Sequence, residues 1–130
     1  MEDEKVNYEI DVESGVKTKL KNANIETYKN ITKVLGVLLD NAIESSKKSK
    51  EKNIIILVSK DNKDVIFSIS NTYKGKIDID KFGTGYTTKG KGHGYGLRLV
   101  NDIVESDKTL ILEKEIDSGY YTTKLIININ

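Results

Sequence analysis

The sequence predicts a two-layer α/β sandwich of the α+β type, in which a mixed, mostly antiparallel sheet is covered on one face by helices. Three observations carry this. Two segments repeat apolar residues every three or four positions, the spacing of an amphipathic helix. Five shorter runs alternate apolar with polar residues or are dense in β-branched residues, as strands are. Along the chain these strands and helices segregate into a sheet layer and a helix layer.

Val6, Tyr8, Ile10 and Val12 alternate with Asn7, Glu9 and Asp11, which predicts a half-buried first strand over 6–12. Ser14-Gly15 breaks it, and the polar stretch to Asn24 reads as a turn with a short helix. Ile31, Val34, Leu35, Leu38, Leu39, Ala42 and Ile43 then predict the main helix, over about Ile25 to Lys50, fading into the polar run from Ser45 to Asn53. Ile54 to Val58 and Val65 to Ile69 form a hairpin around Asp61-Asn62-Lys63-Asp64. Between Asn71 and Gly96 no period survives, and seven of the ten glycines fall there, which reads as a long functional loop. Leu97, Val100, Ile103 and Val104 mark a second helix. Two strands follow, Thr109 to Ile116 and Tyr120 to Ile129, turning at Asp117-Ser118-Gly119. There is no internal repeat and no linker.

At 130 residues the chain is long enough for one domain, residues 1–130, and too short for two. The net charge is +1, from 21 Lys and Arg against 20 Asp and Glu, so no global field draws it to nucleic acid or to an anionic membrane. Any anion site is local. The absence of Cys excludes disulfides and thiolate metal sites and is compatible with a reducing cytosol, and one His is too few for a His-rich metal site. No run approaches the roughly 18 apolar residues of a membrane span. The acidic start MEDEKVNYEI is unlike a signal peptide. The expectation is a cytoplasmic segment without direct membrane contact, compatible with the soluble end of a larger membrane receptor.

On the main helix, Leu35, Leu38 and Ala42 centre the apolar stripe, Asn41 falls at its border, and Asp40 and Glu44 lie beyond. An amide oxygen at that border suits a hard cation, and magnesium carried on phosphates needs only one or two protein oxygens. Asn41 is the candidate metal ligand. Asp40, Asn41 and Glu44 would serve equally as an ordinary solvated helix face, so the helix alone does not decide.

Phe82 to Leu97 runs into the second helix with glycines at 90, 92, 94 and 96. Glycine leaves backbone N–H groups unshielded, and a helix N-terminus adds about half a positive charge, so the segment favours a phosphate. From Tyr73 to Gly96 five lysines face two aspartates, a local charge of +3 on a nearly neutral chain. Gly85 to Lys91 starts like a Walker A loop, but Gly92 stands where Ser or Thr must hold magnesium and no buried strand precedes it. A dinucleotide fingerprint fails for want of a preceding strand.

Leu38-Leu39-Asp40-Asn41-Ala42-Ile43-Glu44 resembles the N box of the GHKL superfamily, the group that holds gyrase, Hsp90, MutL and the histidine kinases. Gly92-His93-Gly94-Tyr95-Gly96-Leu97 resembles its second glycine box. With a strand ending in Asn71 and the Thr87-Thr88-Lys89-Gly90 stretch, the set is similar to the AgrC-like quorum-sensing sensor kinases, over most of the chain. The resemblance implies a Bergerat fold that binds ATP with Mg2+, as the catalytic domain of a two-component histidine kinase. It implies catalytic roles for Asn41, on magnesium, and Lys89, on the β- and γ-phosphates. The implied nucleotide set is Asp40, Asn41, Glu44 and Asn71, then Thr87, Thr88, Lys89, Gly90, Gly92, His93, Gly94, Tyr95, Gly96 and Leu97. The implied partners are the His-bearing dimerisation helices of a parent kinase and a downstream response regulator.

Two departures from the family pattern matter. Asn71 stands where the family reads adenine with Asp; its amide can accept from the adenine amino group and donate to a ring nitrogen. Val37 stands where the superfamily's ATPases carry a water-activating Glu four residues before the Asn, and Val takes no proton. Rapid hydrolysis is therefore not expected. His93 sits between lid glycines rather than on a dimerisation helix, so the phosphate acceptor is expected on another segment. Two rivals share the pocket: a non-catalytic nucleotide-binding or interaction module, and a serine kinase of the anti-sigma-factor type.

Overall fold

The structure, a computed structural model, describes residues 5–75 and 93–129, with side chains for all of these but 93–95. In chain order the elements are β1 (Asn7–Val12), α1 (Val16–Leu20), α2 (Ile25–Lys47), β2 (Asn53–Lys60), β3 (Asp64–Thr72), α3 (His93–Ser106), β4 (Leu110–Asp117) and β5 (Tyr120–Asn128). The sheet order is β1-β2-β3-β5-β4. β1 runs parallel to β2, and the β2–β3, β3–β5 and β5–β4 pairs are antiparallel, so the sheet is mixed and mostly antiparallel, as the sequence predicts.

α2 starts where Asn24 caps it: the Asn24 side-chain oxygen accepts the Thr27 N–H at 2.8 Å, and Glu26 in the first turn faces the positive end of the dipole. Its buried residues Ile31, Val34, Leu38 and Ala42 keep the helical spacing and press on the sheet. The sheet answers with Ile54 and Val58 on β2, Val65 and Ile69 on β3, Leu125 and Ile127 on β5 and Leu110 on β4, all buried. Register explains why these share one face, since Val65 pairs with Ile127 and Ile127 with Leu110. Between β4 and β5, Ser118 and Gly119 take φ of 54° and 83°, the paired left-handed residues of a two-residue hairpin turn. At the β2–β3 turn the Asp61 carboxylate accepts the N–H groups of Lys63 and Asp64 at 3.1 and 2.9 Å. Those bonds, led by the one from Asp64, hold its carboxyl below the usual carboxylate range.

The first strand corrects an expectation. All six residues of β1 are exposed rather than half-buried. Tyr8, Ile10 and Val12 do lie on the helix-facing side, in register with Ile54, Ile56 and Val58. Among the described residues no helix covers them, because α2 lies over β2 and β3. The alternation was a true strand signal, but it does not say whether a layer exists above the strand.

Polar groups tie both ends of α2 to the rest of the fold. Near its start, the Asp107 carboxylate accepts from Thr27 Oγ1 at 3.0 Å, Asn30 Nδ2 at 2.9 Å, Thr109 N–H at 3.0 Å and Thr109 Oγ1 at 2.6 Å. At its other end α2 stops at Lys47, short of Lys50. Ser49 just beyond donates to or accepts from Thr72 Oγ1 at 2.7 Å, and its hydroxyl also accepts the Lys52 N–H at 3.1 Å.

Burial raises the Asp107 carboxyl, but the bonds from Thr109, Asn30 and Thr27 outweigh it and the group sits below the usual range. A carboxyl depressed in the folded state contributes stability at pH above its unfolded value near 3.8 and loses it as pH falls through the folded value. Asp107→Ala should therefore lower unfolding free energy by about 1–3 kcal/mol at neutral pH, since it removes several bonds to a charged acceptor. Urea denaturation should show that difference shrinking below about pH 4. A difference independent of pH would contradict the network.

Candidate functional site

Asn41 occupies the predicted border of α2. It is half-buried between buried Leu38 and Ala42 on one side and exposed Asp40 on the other, with Glu44 half-buried one turn on. Its Nδ2 is shut off from solvent. An amide held this way has lost much of the rotamer freedom that a surface Asn keeps, which suits a positioned ligand.

The second motif meets the same helix. α3 begins at His93, so Gly96 lies in its first turn. A β-carbon built on Gly96 would stand 3.1 Å from Cγ1 of Val37, tighter than ordinary packing. Val37 and Asn41 are four residues apart and so share a side of α2. The first turn of α3, the positive end of a 14-residue helix dipole, is thus placed against the side of α2 that bears Asn41. An anion at the start of α3 and a cation at Asn41 would be neighbours.

At the end of β3, Asn71 is buried, 3% exposed, within a cross-strand row formed by Ile54, Asn71, Tyr121 and Ile116. Its Nδ2 donates to the Thr72 carbonyl at 2.9 Å, which fixes the plane of the amide and leaves Oδ1 and the second N–H for other partners. Burial pushes the neighbouring Tyr121 phenol up, offset in part by a hydrogen bond with Thr123, so the phenol stays protonated at neutral pH. Thr72, next in the strand, carries the Ser49 latch and also accepts the Asn53 N–H at 2.9 Å. The latch joins the end of the Asn41 helix to the end of the Asn71 strand.

Sequence reasoning missed this latch and Tyr121. Ser45 to Asn53 reads as a solvated helix end, yet Ser46 is 0% and Ser49 5% exposed. A signal was available, because Leu38, Ala42, Ser46 and Ser49 continue the buried stripe at spacings of four, four and three. A Ser that keeps a core stripe in register points to a buried hydroxyl with a partner. Tyr121 carries no such mark beyond strand alternation.

Of the residues predicted for the site, Asp40, Asn41 and Glu44 lie on α2 and Asn71 ends β3. Gly96 and Leu97 lie half-buried in α3. His93, Gly94 and Tyr95 are in the helical backbone of α3. Thr87, Thr88, Lys89, Gly90 and Gly92 lie outside the described residues. Among the described residues no group of three or more His, Cys, Asp or Glu could hold a metal ion. A cation at Asn41 would therefore draw most of its ligands from phosphate and water, as magnesium does.

A family model described as a GHKL domain matches residues 26–128. The sensor protein CitS of Bacillus subtilis (strain 168) is 33% identical over 75 residues, which make up 55% of this chain and 14% of CitS. Among solved structures, the histidine kinase AdeS of Acinetobacter baumannii superposes with a TM-score of 0.69 at 20% identity, over 97% of this chain and 55% of AdeS. The catalytic domain of histidine kinase ThkA superposes with a TM-score of 0.70 at 20% identity, over 95% of this chain and 79% of that one. At these identities the solved structures establish the fold. The chain spans a small part of CitS and about half of AdeS.

The Gly96 contact makes a quantitative test. Ala is favoured over Gly inside a helix by about 1 kcal/mol, while overpacking opposes it by about 1–3 kcal/mol. Gly36 on α2 faces open space, with nothing within 4 Å of a built β-carbon. Gly36→Ala should therefore stabilise by about 0.5–1 kcal/mol in urea denaturation. Gly96→Ala should gain nothing in the native background but should become more favourable by about 0.5–1 kcal/mol when Val37 is also Ala. Equal effects of Gly96→Ala in both backgrounds would contradict the contact.

Proposed function

This chain belongs to the GHKL domain family, and from that membership and the geometry around Asn41 we propose that it binds ATP with Mg2+ and donates the γ-phosphate to a His on a separate segment. The observation that carries the reading is the packing of Gly96 on Val37, which brings the start of α3 to the Asn41 side of α2. This supports an anion site beside a hard-cation ligand, the pairing that a nucleoside triphosphate with a divalent cation requires.

The residues present fit magnesium. Asn41 would hold it through the amide oxygen, and when bound the ion neutralises charge on the β- and γ-phosphates. Lys89 and the amides of Gly90, Gly92, Gly94 and Gly96 would grip the phosphates, with Thr87 and Thr88 adding hydroxyls. Asn71 would face the adenine amino group with its oxygen, in an orientation that the bond to Thr72 already sets. Tyr121 beside it stays neutral, so no charge competes with the base.

Transfer here rests on positioning and charge neutralisation. The bond from the γ-phosphorus to the bridging oxygen breaks, a bond to a His nitrogen forms, and ADP departs with the negative charge. Val37 offers no base to activate water, so the pocket favours donation over hydrolysis. The acceptor belongs on the dimerisation helices of a parent sensor kinase, with a response regulator downstream. The motif set favours a parent of the AgrC-like quorum-sensing group, with this domain on its cytosolic side. No helix among the described residues is long and apolar enough to cross a membrane.

Asn41→Ala should weaken Mg-ATP binding at least tenfold, about 1.4 kcal/mol, measured by calorimetry in millimolar magnesium on the folded variant. Native affinity in the variant would contradict the assignment. Mixed with a cognate His-bearing helix and labelled ATP, the chain should label His faster than it releases free phosphate. Label on Ser, or release of phosphate without labelled protein, would refute the proposed acceptor.

A further inference from the structure

We propose that the free edge of β1 is a strand-addition site for an extended segment of a partner protein in which aliphatic residues alternate with lysine or arginine. In a parallel ladder, a strand turns its N–H and C=O groups toward its neighbour at every second residue. Asn7 N–H donates to the Lys52 carbonyl at 2.9 Å and Glu13 N–H to the Val58 carbonyl at 2.8 Å. The odd-numbered residues therefore face β2. Tyr8, Ile10 and Val12 turn their backbone groups to the outer edge, where the sheet ends among the described residues. The same three side chains are 54%, 64% and 56% exposed. Pairing capacity and apolar surface thus coincide at these three residues.

The opposite edge differs. β4 sets half-buried Lys114 on its helix-facing side and exposed Glu113 and Glu115 on the other, charges that discourage an added strand. β1 has no basic residue and nothing charged on its helix-facing side.

The charge on the other face selects the occupant. Glu9 and Asp11 stand exposed on the side away from the helices. A second copy paired antiparallel about Ile10 would match apolar residues on one face, but on the other it would set each Glu9 against an Asp11, and like charges directly opposite are destabilising. A strand with basic residues opposite Glu9 and Asp11 and aliphatic ones between them satisfies both faces and the backbone together. This site stands apart from nucleotide binding and does not depend on it.

The probe is fluorescein-labelled Lys-Val-Lys-Ile-Lys-Val-Lys, capped at both ends and titrated with the full chain. One control peptide carries Glu for Lys, and another is N-methylated on the edge that would pair. Saturable binding of the lysine peptide alone is expected, with amide exchange slowed at least tenfold at Tyr8, Ile10 and Val12. Glu9→Lys with Asp11→Lys, both at exposed positions, should weaken it at least tenfold without moving the thermal midpoint. Absence of saturable binding at millimolar peptide, equal binding of the N-methylated control, or exchange protection away from β1 would overturn the proposal. So would a peptide-free dimer in sedimentation that protects β1, which would assign the edge to a second copy.

Discussion

α3 packs on α2 where Gly96 meets Val37, so closely that a β-carbon at residue 96 would stand 3.1 Å from Cγ1 of Val37. Interiors packed near crystalline density do not absorb an extra methyl without movement. The contact accounts for two sequence features at once. It gives Gly96 a packing reason to be glycine, and it occupies Val37 with apolar packing at the position where an ATPase of this family places its Glu.

The remaining polar groups hold that arrangement from both ends. Asp107, just beyond α3, collects hydrogen bonds from Thr27 and Asn30 in the first turns of α2. Ser49, just beyond α2, bonds Thr72 beside Asn71. Each bond contributes modestly, yet a buried hydroxyl or carboxylate left without its partner is costly, so these groups fix register more than they add stability. α2 is thereby set against α3 at one end and against the Asn71 strand at the other, with Asn41 between them.

Much of this was legible in the sequence where periodicity and chemistry agreed. The helical spacing from Ile31 to Ile43 located α2 and put Asn41 at its border, and the turn residues at 61–64 and 117–119 located both hairpins. The alternation of Tyr8, Ile10 and Val12 located β1 but misled on burial, because alternation reports a pleat and not what covers it. Ser46 and Ser49 misled in the opposite sense, since a serine reads as solvated unless its place in the apolar stripe is weighed. The approach of Gly96 to Val37 was hidden altogether: it joins residues 59 apart in the chain, and no local pattern encodes a tertiary contact of that kind.

The proposed function requires cation and phosphate sites that adjoin at Asn41 and the first turn of α3. Paramagnetic relaxation in a complex with Mn2+ and a non-hydrolysable ATP analogue tests it most directly. Amide signals should broaden most at Asn41 and its α2 neighbours and at the start of α3, with the Asn71 side-chain amide shifted but less broadened. Broadening centred elsewhere, or strong at Asn41 and absent from α3, would contradict the arrangement.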